Sequence, residues 1–370
     1  MKIGFITFHS FANPGGVKNH ILGLSKEFEK RGIETKIIVP RRKLHEKYDD
    51  NVILLGTSIP INIGGTQGDF VLNFNPMAIK KVLEKENFDV LHFHNFIAPS
   101  AIQVLEKSKT LNIITVHANI EASPVMEQMV KALNGTINDH VSGIIGVASL
   151  TLDLLEKFRG VKKVIPNGID LEEFNPSIKK IDKFKKDKIN ILFLGRIEER
   201  KGLIYLLKAY KILQEKHDNL RLIIVGDGPL KEECQEYAKE NNLKEVHWEG
   251  TQVGEIVPRY FRTCDIYCSP APFGESFGIV LLEAMACGKP VTGFSNIGYK
   301  ELLRGTKGEE FLAEPKNEEE LASKIEKLVI DEKLRKEMGE WGIEESKKYS
   351  WEKVADEVLN FYETCKKLKS

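Results

Sequence analysis

The residues best equipped for chemistry are concentrated between Ser269 and Val291, in the run SPAPFGESFGIVLLEAMACGKPV. Glu275 stands in a turn-rich loop. Glu283 lies inside the apolar run Ile279 to Cys287, which Gly288 and Pro290 bring to an end. Ser276 is placed to cap that helix, leaving the amides of Phe277, Gly278 and Ile279 as N-terminal donors without helical acceptors. Such amides, together with the helix dipole, make a seat for an oxygen-rich ligand. Glu275 is the acceptor that sugar hydroxyls would meet there. Glu283 is surrounded in sequence by Leu281, Leu282, Ala284 and Met285. A buried carboxylate without a partner is strongly disfavoured, so this one calls for a hydrogen-bonding partner, and a ribose diol would serve. A surface helix with a stray Glu is the plainer reading. It does not account for the loop, the amides, the spaced carboxylates and the stop signals together.

A second set suits a diphosphate. Gly195-Arg196-Ile197-Glu198-Glu199-Arg200-Lys201-Gly202 lies between a strand, Ile189 to Leu194, and a helix from Leu203 to about Lys216. Arg196 offers a planar fork of donors, Lys201 a point charge, and the helix start its amides. Gly226-Asp227-Gly228-Pro229 follows the strand Leu220 to Val225, and Pro229 departs from the dinucleotide fingerprint. In the first half, Gly15-Gly16 follows a strand, Lys2 to Phe8, where glycines let backbone amides approach a ligand; a tight turn is the other reading. His117 ends the strand Ile113 to Val116, at the edge where catalytic residues collect in open α/β sheets. His92 and His94 alternate with Phe93 and share one strand face. An H-x-H pair can bind zinc, but no third ligand stands at a recognisable spacing, so a polar cleft wall is the better reading. Arg41 and Arg42 open a basic run at a strand's carboxyl end, either a solvated loop or a contact for a phosphate-bearing acceptor.

These segments resemble the family-4 retaining glycosyltransferases of GT-B fold, whose E-x7-E signature matches Glu275 to Glu283. The resemblance implies that Glu275, Phe277, Gly278 and Ile279 hold the donor sugar and that Glu283 holds the ribose. It implies that Arg196 and Lys201 bind the donor pyrophosphate and that His117 touches the transferred sugar; His117, Glu275, Arg196 and Lys201 are then the catalytic set. Gly16 falls near the donor diphosphate, Gly226 near the nucleotide, and Val253 near the nucleobase. Asn13, Gly15, Arg41, Arg42, His92 and His94 fall on the acceptor side. The opening Ser10 to Val17 and the block Gly274 to Leu281 are closest to the subgroup containing phosphatidylinositol mannosyltransferases.

The implied reaction moves a hexose, mannose favoured, from a nucleotide sugar such as GDP-mannose to a hydroxyl of a phosphorylated or lipid-linked acceptor. It implies retention of configuration, and neither a cofactor nor a metal. No D-x-D motif of the metal-dependent kind sits at a strand end. UDP-sugar-dependent glycosyl or N-acetylglucosaminyl transfer is the alternative donor reading. A nucleotide-sugar epimerase or a non-catalytic nucleotide-sugar binder are the alternatives of another class.

The elements that must position these residues form two α/β units with ligand loops at strand ends. The expected architecture is a pair of Rossmann-like domains facing across a cleft. Residues 1–170 with 350–370 form the acceptor domain and residues 171–349 the donor domain. Pro166-Asn167-Gly168 is a turn. The charged stretch Ser177 to Lys188 reads as the linker, with the boundary between Ile169 and Lys188. Residues 56–75, rich in Gly, Asn and Thr, read as irregular. Pro76 opens a helix carrying Lys80, Lys81 and Lys85, which could rest on an anionic membrane or simply face water.

At 370 residues the chain is long enough for two domains. Lys plus Arg equals Asp plus Glu at 54 each, which argues against a dedicated nucleic-acid binder. Five cysteines without a C-x-x-C pair fit neither a disulfide framework nor a structural zinc site. Cys264 and Cys268 read as core residues of one strand. The start resembles no signal peptide, and no apolar run approaches the roughly 18 residues of a membrane span. The expected location is the cytoplasm, with a peripheral place on the inner face of the cell membrane left open.

Overall fold

Alternating strand and helix patterns fold into two units, Met1–Gly168 with Trp351–Ser370, and Ile169–Ser350. The computed structural model describes residues 1–12, 15–43, 45–63, 66–72, 75–94, 99–117, 124–184 and 187–369.

The first unit runs β1 (Lys2–Thr7), α1 (Gly16–Lys30), β2 (Glu34–Arg41), β3 (Val52–Ile63), β4 (Thr66–Leu72), α2 (Pro76–Glu86), β5 (Val90–His94), α3 (Pro99–Lys107), β6 (Leu111–Val116), α4 (Pro124–His140), β7 (Gly143–Gly146) and β8 (Val161–Val164). Its sheet has the order β4-β3-β2-β1-β5-β6-β7-β8. It is parallel except for β4, which pairs antiparallel with β3. The second unit runs β9 (Ile189–Leu194), α5 (Leu203–Gln214), β10 (Leu220–Val225), α6 (Lys231–Glu240), β11 (Val246–Gly250), α7 (Ile256–Thr263), β12 (Ile266–Ser269), α8 (Ile279–Ala286), β13 (Val291–Phe294), α9 (Ile297–Leu303), β14 (Leu312–Ala313), α10 (Glu318–Ile330) and α11 (Glu332–Ser346). Its sheet order is β11-β10-β9-β12-β13-β14, with all the pairs parallel.

Both strand orders reverse direction once, between β1 and β5 in the first sheet and between β9 and β12 in the second. In open α/β sheets ligands bind outside the carboxyl ends of the strands at such a reversal. Each unit therefore carries one topologically favoured site.

The strands are near-continuous apolar runs because helices cover both faces of a parallel sheet. Ile3, Phe5, Ile113 and Ile145 face α1 and α12 (Trp351–Lys369), which returns to the first unit with Val354, Ala355, Val358, Phe361 and Tyr362 inward. Arg31, the C-cap of α1, donates to Asp356 Oδ1 at 2.5 Å and ties down α12 at its exposed edge.

Three expectations are corrected. Residues 56–75 are not wholly irregular: β3 and β4 form a hairpin, with Thr57 opposite Leu72 and Ile63 opposite Thr66. The alternation of Ile59, Ile61 and Ile63 is the strand signal, masked in composition by the surrounding Gly, Asn and Thr. Pro60 is tolerated because the ladder to β2 ends at Thr57. The charged stretch after Ser177 is not a free linker, since Phe184 is buried in the second unit's core and Ile181 N donates to Thr263 Oγ1 at 2.8 Å. Cys264 follows the end of α7 rather than sharing a strand with Cys268. All five cysteines are free and buried.

Candidate active site

In the second unit the two loops at the strand-order reversal meet. The loop after β9 carries Arg196 to Gly202 and the loop after β12 carries Pro270 to Gly278. Gly202 (φ 67°) is the hinge of that meeting, since a Cβ there would lie 2.1 Å from Pro270 O. Asn296 secures the second loop by donating to Ala271 O at 2.8 Å.

Glu275 is the centre of a charge chain. Its Oε1 accepts from Lys201 Nζ at 2.6 Å and from Arg200 Nη1 at 2.9 Å. Arg200 Nη2 donates to Glu198 Oε1 at 3.0 Å, and Glu198 Oε2 lies 3.4 Å from Arg196 Nε. Lys201 and Glu275 are largely buried, whereas the Arg196 side chain is 44% exposed. The buried pair is thus prearranged and the exposed guanidinium is open to an anion.

α8 begins at Ile279 with Gly278 as its cap (φ 97°) and no side-chain capping bond, so the expected Ser276 cap is corrected. Only glycine takes that φ without strain, and a Cβ would meet Tyr299 Cδ1 at 2.6 Å. The first-turn amides consequently keep no helical acceptor. They lie directly after Glu275, on a helix whose dipole favours negative charge at that end.

Glu283 is half-buried on α8, and its carboxylate accepts no hydrogen bond among the described residues. Burial, with Glu173 nearby, pushes it up to about 8, against a lowering by Lys201. A half-buried carboxyl waiting for donors is what a diol ligand would complete. Gly226 follows β10 with its amide already given to Gly250 O at 2.8 Å. Val253 stands 66% exposed in the turn between β11 and α7.

In the first unit the carboxyl ends of β1, β5 and β6 converge on α1. His94 closes β5 and His117 follows β6, with His94 Nδ1 and His117 Nε2 2.9 Å apart. His20, from α1, completes the group: one ring nitrogen of each of His20, His94 and His117 lies within 4.8 Å of the others. Burial holds His94 and His117 well below the ordinary histidine range, and neighbouring imidazoles add to the shift. The rings are neutral at pH 7.

His92 is corrected. It is fully buried, with Nε2 2.6 Å from Thr115 Oγ1 and Nδ1 2.6 Å from the Tyr362 hydroxyl. Both nitrogens are engaged inside the fold, so it anchors α12 rather than facing an acceptor. Gly15 and Gly16 stand exposed at the start of α1 with open space where a Cβ would be. Arg41 ends β2 exposed, and Arg42 N donates to Glu46 Oε2 at 3.0 Å. Asn13 lies outside the described residues. Met77 on α2 is 80% exposed beside exposed Lys80 and Lys81. Among the described residues no helix is long and apolar enough to cross a membrane.

A cavity of about 590 Å³ in the first unit, lined by Met1, Asp89, Lys109, Thr110, Tyr362 and Lys366, opens at the amino ends of the strands. That is the opposite edge from the histidines and the wrong edge for this sheet type. Residues missed in the sequence are His20, Arg200, Glu198 and Asn167. Arg200 and Glu198 stood in the diphosphate loop. His20 has no linear relation to His94 or His117 and only the fold brings it to them.

The chain matches the model of "Glycosyltransferase Family 4" over residues 14–173 and of "Glycosyl transferases group 1" over residues 174–345. It is 31% identical to a phosphatidyl-myo-inositol mannosyltransferase of Mycobacterium leprae, covering 98% of this chain and 97% of that protein. It is 29% identical to the protein of the same name from Mycolicibacterium smegmatis, covering 98% and 94%. Among solved structures it is similar to sucrose-phosphate synthase from Thermosynechococcus elongatus, with a TM-score of 0.78, 19% identity and 98% of each chain covered. A glycosyltransferase from Rickettsia africae gives a TM-score of 0.77 at 19% identity, again over 98% of each chain. These structures show a shared fold.

Proposed function

We propose, for a chain that belongs to the family-4 glycosyltransferases of GT-B fold, that it moves mannose from GDP-mannose to a hydroxyl of a phosphatidylinositol-type acceptor, with retention of configuration. The observation that carries this reading is the Lys201–Glu275–Arg200 cluster placed directly before the uncapped start of α8. It joins a sugar-hydroxyl acceptor to phosphate donors in one loop pair.

In this reading Arg196, Lys201 and the amides opening α5 hold the diphosphate and stabilise the charge it gains as it leaves. Those donors meet the developing charge themselves, so the reading asks for no metal cofactor. Glu275 Oε2 receives a sugar hydroxyl while Oε1 stays with its two cations. Glu283 receives the ribose diol. The sugar C1–O bond to the diphosphate breaks as the acceptor oxygen bonds to C1 on the same face. The acceptor proton passes to the departing diphosphate oxygen. His117, neutral, offers a ring nitrogen to the sugar.

Mannose and a phosphatidylinositol-type acceptor are favoured by the names of the curated relatives. Exposed Arg41, and Met77 with Lys80 and Lys81 on α2, suit an anionic headgroup and a peripheral place on a membrane.

The test is incubation of the full chain with radiolabelled GDP-mannose and phosphatidylinositol vesicles, followed by NMR of the lipid product. Label in the lipid with the donor's anomeric configuration supports the reading. An inverted centre overturns the retaining mechanism. Label entering lipid only from a UDP-sugar overturns the donor assignment.

A further inference from the structure

The transferase reading uses His117 and leaves His20 and His94 without a role. Both are buried, at 4% and 0% exposure. The ring centroids of the trio stand 4.7 to 5.3 Å apart. Asn167 Oδ1 lies 2.8 Å from His20 Nδ1 and can only accept, so the proton sits on Nδ1 and Nε2 keeps its lone pair. A histidine oriented through its other nitrogen in this way is what metal sites use. His94 Nδ1 and His117 Nε2 share one proton, and His94 Nε2 is buried with no hydrogen-bond partner among the described residues. The proton can therefore shift to that unused nitrogen and release Nδ1 as a second ligand.

We propose that His20, His94 and His117 form a binding site for a late first-row divalent cation, with Zn2+ as the type, held by one ring nitrogen of each with a fourth position open. Nitrogen donors select such cations over Mg2+ and Ca2+, which take oxygen. At Zn–N lengths of about 2.0–2.1 Å, tetrahedral ligand nitrogens stand about 3.4 Å apart. The 2.9 Å pair has to open by a few tenths of an ångström and the wider separations, up to 4.8 Å, have to close, which side-chain torsion accomplishes. Occupation takes His117 away from the sugar, so the cation inhibits transfer. That consequence rests on the transferase reading; the site itself does not.

The test is calorimetric titration of metal-stripped full-length protein with Zn2+, paired with the visible absorption of Co2+. The expected result is one Zn2+ per chain at micromolar affinity or tighter and the intense bands of four-coordinate Co2+. His20→Gln should weaken uptake at least a hundredfold. Asn167→Ala should weaken it about 10- to 100-fold while keeping the Co2+ bands. Melting curves of both metal-free variants confirm that they fold. Absence of uptake by the natural chain, uptake unchanged in His20→Gln, or a weak six-coordinate Co2+ spectrum would each overturn the site. Zn2+ binding without inhibition of transfer removes the regulatory consequence, and a chain that binds Zn2+ but never transfers sugar refutes the transferase reading instead.

Discussion

Lys201 donates to Glu275 Oε1 across 2.6 Å, joining the loop after β9 to the loop after β12 at the point where the strand order of the second sheet reverses. With Arg200 on the same oxygen, Oε1 is committed to two cations, and the proposed reading gives Oε2 to a sugar hydroxyl. In the proposed reading this pair links the residue assigned to the diphosphate with the residue assigned to the sugar.

Glu275→Ala should lower kcat by about 10²–10³, the cost of removing one preorganised polar contact to a reacting group. GDP affinity should change by no more than a few-fold, because the proposed role of this carboxylate is on the sugar and not on the nucleotide. Steady-state kinetics with calorimetry of GDP checks both. Abolished GDP binding would place Glu275 in the wrong role.

Lys201→Ala and Arg196→Ala should each weaken donor binding by about 10- to 100-fold, in line with roughly 1.5–3 kcal/mol for a hydrogen bond to a charged group. The deficit should shrink for a nucleoside that lacks the diphosphate. Equal losses for nucleoside and nucleotide would remove both cations from the phosphate site.

Glu283 gives a pH signature. Its folded pKa of about 8 lies above the ordinary value of 4.5, so the folded state holds a proton that the unfolded chain has released. This penalty is absent below about pH 4.5, grows as pH rises through the window, and is complete above 8. The slope is at most about 1.4 kcal/mol per pH unit. Denaturant unfolding of Glu283→Gln should lack that decline. Because a diol donates to the charged carboxylate, nucleotide affinity in the natural chain should rise with pH towards and past 8, and Glu283→Gln should flatten it.

Tyr362→Phe should destabilise the chain by about 1–3 kcal/mol, the cost of leaving the buried His92 Nδ1 without its partner. Chemical denaturation measures it. Wild-type stability in the variant would show that the Tyr362–His92 hydrogen bond adds nothing to the docking of α12.

The parts of the site legible in sequence were those written within one continuous stretch. Glu275, Glu283 and the start of α8 lie within a single loop and helix, and Arg196 and Lys201 within another, so local spacing singled them out and the resemblance to the family-4 glycosyltransferases supplied the roles proposed for them. The cap was misjudged because Ser276 has the usual capping side chain, whereas the chain turns at Gly278 with φ 97°, a conformation that a side chain would resist. Strand alternation correctly put His92 and His94 on one face but could not say how deeply that face is covered; α12, arriving from the far end of the sequence, buries His92 beneath Tyr362. His20 was invisible for the same reason, since α1, β5 and β6 meet only through the sheet order. The β3–β4 hairpin was hidden by its composition, although the alternation of its isoleucines was there to be read.

The most direct test of the central claim is a calorimetric titration of the full chain, without acceptor, against GDP-mannose, UDP-glucose, UDP-N-acetylglucosamine and the bare nucleotides, repeated on Lys201→Ala. The account predicts that GDP-mannose binds best and that Lys201→Ala weakens it about 10- to 100-fold. A natural chain that binds no sugar nucleotide, or whose binding is indifferent to Lys201, would contradict it.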